Sequence, residues 1–416
     1  MIKRKKPELL APAGNLHKLK TAIAHGADAV YFGIPDFSLR VRINEFSPAD
    51  IKKGIEYAHA AGKKAYVTLN IFARDRHFTK LKAHIRMLKA CAPDALFVSD
   101  PGVAAIVKTV WPAARLSLST QANCSNSAAA AFWSKQGFKR LILSRELSLK
   151  EIAGIKKNAG RTEIEVFVHG ALCAAYSGRC FLSDFLVGRG ANLGDCAQPC
   201  RWEYEIKPIG HNRSFVIGED GKGSYLMNSQ DLCLIERLPE IIDAGVDALK
   251  IEGRAKSAYY LANVVGAYRR AIDLIYSGKA KAVIKRELSF LKNELGEKLN
   301  NRGYCEGFMF SGGQDLENYA GNNMLSPWEF CGQVISSRAV KGGYVLKVKV
   351  HNTMESSSEV EIIGPEYDCG LLDVSLMRDA KTKKLQKEAH GGGGGQVVLI
   401  ETKKDWPAFS VLRRRL

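Results

Sequence analysis

Four cysteines lie close together near the middle of the chain and could bind a metal centre. Their spacing is Cys173-x6-Cys180-x15-Cys196-x3-Cys200. Glycines flank this set and allow the backbone to approach a bulky inorganic group closely. They are Gly170, Gly178 and Gly194. Four thiolates hold either a [4Fe–4S] cluster or a tetrahedral zinc ion.

The spacing favours an iron–sulfur cluster over zinc. Zinc ligands usually come as two tight pairs, and only Cys196 and Cys200 form such a pair here. Cys233 lies further along the same region and is an alternative fourth ligand. In a reducing cytosol two disulfides are disfavoured, which leaves four unrelated buried thiols as the remaining alternative.

Polar or small residues follow each of eight short apolar runs. Two of them are Arg145 and Arg254, and guanidinium groups pair with carboxylates or phosphates through two hydrogen bonds. We therefore predict an anion-binding pocket. A polar residue at a strand end also simply reaches water, and a histidine there is as often structural as functional. The other predicted site residues are Asn70 and Glu252 for substrate binding, and Gln121, Glu146 and His169 for catalysis.

The runs that carry these residues alternate with amphipathic helical windows. Each run is almost continuously apolar, which is typical of parallel strands covered on both faces. Ser47 before Pro48, and Ser148 before Glu151, are typical helix starts. The predicted strands are 8–11, 29–33, 65–70, 95–100, 116–121, 141–145, 164–169 and 248–252. The predicted helices are 16–25, 48–61, 79–90, 102–110, 127–136, 149–158 and 257–276.

Eight strand–helix units predict an α/β fold, a closed (β/α)₈ TIM-like barrel over residues 1–278. An open doubly wound sheet is the alternative. The interval between the seventh and eighth predicted strands is longer than the other intervals. It predicts a cysteine-rich, iron–sulfur insertion at 170–235. In such barrels the active site forms at the C-terminal ends of the strands.

The remainder of the chain has a different character. Residues 279–323 are predicted to form a helical linker, and 324–416 a small C-terminal all-β barrel domain. The clearest strands in that domain are 331–335, 343–350, 359–363 and 396–401. The final Arg413, Arg414 and Arg415 are interpreted as a basic tail.

Charge and composition narrow the class of protein. The 416 residues include 61 Lys and Arg against 43 Asp and Glu, a formal net charge of +18. This excess favours a polyanionic partner, nucleic acid first, although many soluble proteins are simply basic. No apolar run is long enough to span a membrane. The segment 1–7 has no apolar run behind it, so we expect no signal peptide and a cytoplasmic protein.

Motifs of common enzymes are absent. The sequence has no His-Glu-x-x-His, Gly-x-Ser-x-Gly or Walker A pattern, so a standard hydrolase or NTPase gains no support. Trp202 and Tyr204 follow Cys200-Arg201. They pack against the cluster or the barrel rim, or they stack an unpaired nucleotide base.

The cysteine region resembles the signature of the peptidase U32 family. The matching stretch is Glu165-Val-Phe167-Val-His169-Gly170-Ala-Leu-Cys173-x4-Gly178-Arg-Cys180-Phe-Leu-Ser183. Further matches to the family pattern lie at 10–15, 26–31, 119–121, 194–202 and 250–254. Together they extend along the whole predicted barrel, and the C-terminal β region also resembles that of the family.

The resemblance implies a chemistry different from the family name. The family was named for a collagenase-like protease activity, but its better-defined members resemble oxygen-independent hydroxylases of RNA or of quinone precursors. They are similar in using prephenate and a [4Fe–4S] cluster, here on Cys173, Cys180, Cys196 and Cys200. The two-domain length and the Cys-x3-Cys pair most resemble members that convert wobble uridine of tRNA to 5-hydroxyuridine.

Several functions therefore remain to be distinguished. The favoured one is an iron–sulfur tRNA hydroxylase with prephenate as co-substrate and tRNA as partner. The alternatives are a U32 collagenase-like peptidase, a hydroxylase of another RNA or of a small aromatic substrate, and a non-enzymatic RNA-binding module. We expect RNA contacts on the β-domain, on 279–302 and on Arg413–Arg415, with affinity that falls steeply with salt.

Overall fold

The computed structural model describes residues 4–39, 45–173, 175–202, 218–220, 223–225, 229–312 and 324–416. Its chain divides into two compact units. The first comprises Met1–Leu16, Asp28–Ala255 and Asn301–Met324, and the second comprises His17–Ala27, Lys256–Asn300 and Leu325–Leu416. The domain limits predicted from the sequence remain predictions, but residues 281–298 of the predicted linker belong to the second unit.

The strands of the first unit include all eight that the apolar runs predict. In chain order they are β1 (Glu8–Pro12), β2 (Ala29–Gly33), β3 (Lys64–Leu69), β4 (Ala95–Val98), β5 (Leu116–Leu118), β6 (Arg140–Ile142), β7 (Glu163–Ala171), β8 (Gly218–Asp220), β9 (Gly223–Tyr225), β10 (Asp231–Cys233), β11 (Ala248–Ile251) and β12 (Tyr304–Cys305).

Strand pairing closes a parallel barrel. Strands β1 to β7 pair in sequence order, and β11 pairs with both β1 and β7. Leu249 of β11 is thus opposite Leu9 on one side and Val166 on the other. The (β/α)₈ prediction is confirmed and the open sheet is wrong. The strands are mostly apolar because both faces are covered; all five residues of β2 are buried.

Helices separate the barrel strands as predicted. Along the chain from β1 to β11 they are α1 (Leu16–Ala24), α2 (Pro48–Ala60), α3 (Phe78–Cys91), α4 (Pro101–Val110), α5 (Ser127–Lys135), α6 (Leu149–Asn158), α7 (Leu182–Val187) and α8 (Leu238–Asp243). Three further helices follow β11, namely α9 (Ala258–Ile275), α10 (Lys281–Lys298) and α11 (Gly307–Ser311), and the first two of them belong to the second unit. The Ser47 hydroxyl accepts from the Asp50 N–H (3.2 Å), and Ser148 forms the matching capping box with Glu151. Among these helices, none combines the length and apolar character that crossing a bilayer requires.

The insertion before the last barrel strand is confirmed. Between β7 and β11 the chain forms α7, several short 3₁₀ turns and strand β10. Strand β10 runs antiparallel to β7, with Cys233 opposite His169, and adds a short edge beside the barrel.

The second unit contains the all-β region. The strands are β13 (Trp328–Val340), β14 (Gly343–Val350), β15 (Met354–Glu355), β16 (Val360–Ile363), β17 (Cys369–Leu372), β18 (Arg378–Asp379), β19 (Glu388–Ala389), β20 (Val397–Thr402) and β21 (Val411–Arg415). The main sheet is antiparallel, with strand order β17-β16-β21-β13-β14-β20-β18, and its core contains Leu346, Val348 and Trp406.

The arginine-rich C-terminus is not a tail. It forms β21, which lies between β13 and β16 in the sheet. Arg413 is buried and donates to Glu294 (2.9 Å) and Glu361 (2.6 Å), while Arg414 pairs with Glu329 (3.0 Å). The prediction of a basic tail is therefore wrong, and carboxylates of the same unit pair with Arg413 and Arg414.

Charged side chains also pair inside the barrel. Lys250 of β11 donates to Glu165 of β7 (2.9 Å), and Arg140 of β6 donates to the same carboxylate (3.1 Å) and to Glu8 of β1 (2.6 Å). The Lys250, Glu165 and Arg140 side chains are all buried. Burial alone raises the pKa of Glu8, but Arg140 and Lys64 outweigh it and lower that pKa to about 2.

We expect Arg140→Met to lower the free energy of unfolding by about 3–5 kcal/mol, because it leaves buried carboxylates without their cation. Arg115 provides a matched control: it pairs with Glu163 (3.0 Å), as Arg140 does, but is 47% exposed. Arg115→Met should cost less than about 1 kcal/mol. Urea unfolding measures both, and equal losses would contradict the prediction.

Candidate functional site

A cavity of about 430 Å³ opens at the C-terminal ends of the barrel strands. It contains five of the seven non-cysteine residues predicted from strand ends, and all four clustered cysteines. These are Asn70, Gln121, Arg145, Glu252 and Arg254, with Cys173, Cys180, Cys196 and Cys200. Parallel strands in a closed barrel bring their ends to one rim, so residues far apart in sequence meet there.

The side-chain amides of Asn70 and Gln121 form part of the cavity wall. Asn70, after β3, donates to the Gln121 Oε1 (3.3 Å), and its own Oδ1 accepts from the Leu39 N–H (3.1 Å). The Ser119 hydroxyl donates to the same Gln121 oxygen. With its oxygen thus engaged, Gln121 has an amide nitrogen that can donate to a ligand.

The two predicted arginines both line the cavity. Arg145 donates to the Ala171 carbonyl (3.1 Å) and lies over the Phe167 ring at 4.9 Å. Arg254 donates to the Thr68 hydroxyl (3.3 Å) and to the Leu39 carbonyl. Those contacts orient each guanidinium and leave Arg145 without an ion pair to any described carboxylate.

Gly33, at the end of β2, makes room for one of these arginines. A Cβ built on Gly33 would lie 2.7 Å from the Arg254 guanidinium and 2.1 Å from the Ser38 hydroxyl. Any side chain at position 33 would therefore displace Arg254 from the cavity.

Lys250 is a cavity residue that the sequence reasoning missed. It lies on β11, its ammonium sits 4.0 Å from the centres of both the Tyr31 and Phe97 rings, and it also pairs with Glu165. Burial lowers the pKa of Lys250 to about 8, and the Glu165 carboxylate opposes that shift only in part. The available signal was a lysine inside an otherwise apolar predicted strand.

The part of the chain that carries Cys173, Cys180, Cys196 and Cys200, called the cysteine segment below, is held against the barrel rim by polar contacts. The Glu146 carboxylate accepts from the Ser177 N–H (2.6 Å), and the Ser177 hydroxyl donates to Asn123 (2.8 Å). Ser177 has a left-handed φ of 48°, which these bonds stabilise. Glu146, predicted as catalytic, is therefore placed where it holds the loop between Cys173 and Cys180.

Gly170 lies near the end of β7, just before the cysteine segment. Its φ is +108°, and a Cβ there would lie 2.5 Å from the Glu252 carbonyl oxygen. Only glycine lets the end of β7 come this close to the end of β11. The signature glycine thus serves backbone packing.

The four cysteines share the cavity but are not gathered around one point. Cys173 and Cys196 are exposed, Cys180 and Cys200 are half-buried, and the Gln198 N–H donates to the Cys196 sulfur (3.3 Å). Among the described residues, no three Cys, His, Asp or Glu side chains lie within reach of a single metal ion. All ten cysteines of the chain are free of disulfides.

Other candidates lie outside the cavity lining as described. His169 is buried, its ring 5.4 Å from that of Tyr304, and Cys233 is buried on β10. Asp100, another polar strand end, caps α4 by accepting from the Val103 N–H (2.9 Å). Trp202 is 42% exposed. Tyr204 and the side chain of Arg201 lie outside the described residues.

The charge of the described lining is positive. Arg145, Arg179, Lys250 and Arg254 face a single carboxylate, Glu252, whose Oε2 accepts from the Tyr31 hydroxyl (3.2 Å). Such a lining favours an anionic ligand, and planar guanidinium groups suit carboxylates in particular. Fold, cavity and cysteine segment together define a barrel enzyme whose cavity combines thiols with cationic side chains.

The chain belongs to peptidase family U32, whose model matches residues 14–318. It is 40% identical to tRNA hydroxylation protein P of Escherichia coli (strain K12), over 87% of this chain and 87% of that protein. It is 37% identical to tRNA hydroxylation protein P1 of Bacillus subtilis (strain 168), over 93% and 90%. It is also 33% identical to a protein named Collagenase from Porphyromonas gingivalis, over 72% and 73%.

We expect the affinity of the cavity for a dicarboxylate such as malonate to fall by about threefold or more between about pH 7 and about pH 9. Over that range Lys250 loses its charge, since its pKa is about 8, while the arginines stay protonated. Isothermal titration calorimetry measures the effect. Lys250→Met should bind more weakly and without this pH step; a constant wild-type affinity would contradict the prediction.

Proposed function

We propose that this protein hydroxylates uridine in tRNA, at the wobble position, using a [4Fe–4S] cluster and prephenate as co-substrate. The observation that supports the proposal most directly is one cavity that combines four cysteines with an excess of cationic side chains. The names of two relatives similar along most of the chain support tRNA as the substrate. A cytoplasmic location follows from that substrate.

Cys173, Cys180, Cys196 and Cys200 would hold the cluster. In a [4Fe–4S] cluster each thiolate binds a different iron, so the four sulfurs stay farther apart than around one zinc ion. Thiols that share a cavity without converging on one point are suited to that arrangement. When bound, the cluster would supply redox chemistry, which is needed because converting a C–H into a C–OH group is a two-electron oxidation.

The cationic side chains would hold prephenate, which carries two carboxylates. Arg145 and Arg254 can each form a charge-assisted pair with one carboxylate, and Lys250 lowers the cost of burying the negative charge. Asn70 fixes the Gln121 amide, so the Gln121 nitrogen can donate to a carbonyl or hydroxyl oxygen of the co-substrate or the base.

A peptidase is the alternative that the name of one relative favours. Most thiol and serine peptidases use a histidine beside the nucleophile. Among the described residues that line the cavity there is no histidine, and His169 is buried in β7. The cavity supports anion binding and redox chemistry better than peptide hydrolysis.

The function is tested by mass spectrometry of tRNA nucleosides from cells that lack the protein. 5-Hydroxyuridine should disappear and return with the wild-type gene. Cys196→Ser should not restore it and should lose iron, whereas Cys91→Ser, on barrel helix α3, should do both as wild type does. Anaerobically purified wild type should hold about four irons per chain. Unchanged 5-hydroxyuridine in the deletion strain would refute the proposal.

The arginine clamp can be tested separately with prephenate. We expect Arg145→Lys to weaken binding by about 1.5–3 kcal/mol, because lysine keeps the charge but loses the planar pair of donors. Arg254→Lys should act in the same direction. Arg189→Lys is the control, since Arg189 pairs with Asp195 (3.0 Å) in the same segment. Prephenate affinity unchanged in both cavity variants would remove the clamp.

A further inference from the structure

Exposed aromatic side chains are concentrated on the cysteine segment. Six large aromatic residues are exposed in the described chain, and four of them lie between residues 176 and 202. They are Tyr176 (57%), Phe181 (77%), Phe185 (84%) and Trp202 (42%). Contiguous exposed apolar surface next to a functional cavity usually marks a binding site.

Two of these residues form a defined surface. The Phe185 N–H donates to the Phe181 carbonyl (2.8 Å), which is one α-helical turn, so both rings lie on the same side of α7. Phe181 also lines the cavity and directly follows Cys180. The pair therefore extends from the mouth of the cavity outward.

The charge around this surface favours a nucleic-acid occupant. Arg179 is exposed, donates to the Gln121 carbonyl (2.9 Å) and lies over the Phe72 ring at 5.4 Å. Exposed aromatic rings together with arginines are the composition of sites that bind unpaired bases, and the net charge of +18 attracts a polyanion. The flat face of a ring suits any base, so such a surface binds bases without reading their identity.

We propose that Phe181 and Phe185 form a stacking platform for unpaired bases adjacent to the uridine that enters the cavity. The proposal rests on the proposed function and names how the RNA loop is held there. It explains why phenylalanines with no packing role lie beside the cavity. Phosphate contacts supply most of the affinity, and the platform supplies the preference for an unpaired loop over a duplex.

The test uses the full-length protein loaded with its cluster and two fluorescent RNAs. One is an anticodon stem-loop with uridine at the wobble position, and the other is a fully paired duplex of equal length. Phe181→Ala combined with Phe185→Ala should weaken stem-loop binding about tenfold or more at every salt concentration, with the salt dependence unchanged. Duplex binding should stay as in wild type. Phe132→Ala, at a residue 54% exposed on helix α5, is the matched control.

Each outcome decides a different point. If the double variant retains iron and binds the stem-loop as wild type does, the platform is refuted while the proposed function stands. If the wild type binds no RNA, the platform and the proposed function both fail. A variant that changes the oligomeric state in light scattering but not RNA affinity would assign the surface to protein contact and overturn the proposal. Phe185→Trp, which keeps a large ring, should restore stem-loop binding lost in Phe185→Ala.

Discussion

A line of buried charges through the barrel is the interaction on which the cavity depends. Lys250, Glu165, Arg140 and Glu8 are contributed by β11, β7, β6 and β1, and each contacts the next. A buried charge is tolerated only when it is paired, so these strands are held in the register that brings opposite charges together. Lys250 ends the line at the cavity, where it adds a cationic group to the lining.

The cysteine segment depends on this rim in turn. Gly170 allows β7 to approach the backbone of Glu252, and the Glu146 carboxylate holds the strained Ser177 turn. The first contact lies just before Cys173, and the second lies between Cys173 and Cys180, so both hold this part of the chain against the barrel. The thiols are consequently positioned by strands whose own spacing the interior charges maintain.

The second unit also contains a buried arginine that is paired with carboxylates. Arg413 lies among Glu294, Glu361, Asn263 and the Tyr367 hydroxyl, which come from two helices, the sheet and a 3₁₀ turn of that unit. Arginines paired with carboxylates in this way add nothing to the net charge of +18 and are not available to a polyanion. Total charge therefore indicates the class of partner but not the surface that binds it.

The sequence alone determined the barrel, the all-β region and the residues at the strand ends. Strand positions followed from short apolar runs, and helix starts from Ser47 and Ser148, because both depend on local patterns. The same reasoning placed Asn70, Gln121, Arg145, Glu252 and Arg254 at one rim, since parallel strands all end there.

Only the tertiary structure decided what each polar residue contacts. Glu146 holds a loop, Asp100 caps a helix and His169 is buried beside Tyr304, although all three are polar strand ends like Arg145. Lys250 was missed because a lysine in an apolar run is tolerated only where distant strands supply Glu165 and aromatic rings. Likewise the sequence pattern placed Arg413 in a tail, because its carboxylate partners, Glu361 and Glu294, lie 52 and 119 residues away in the chain. Pairing across such distances leaves no local pattern, so the fold and not the sequence reveals it.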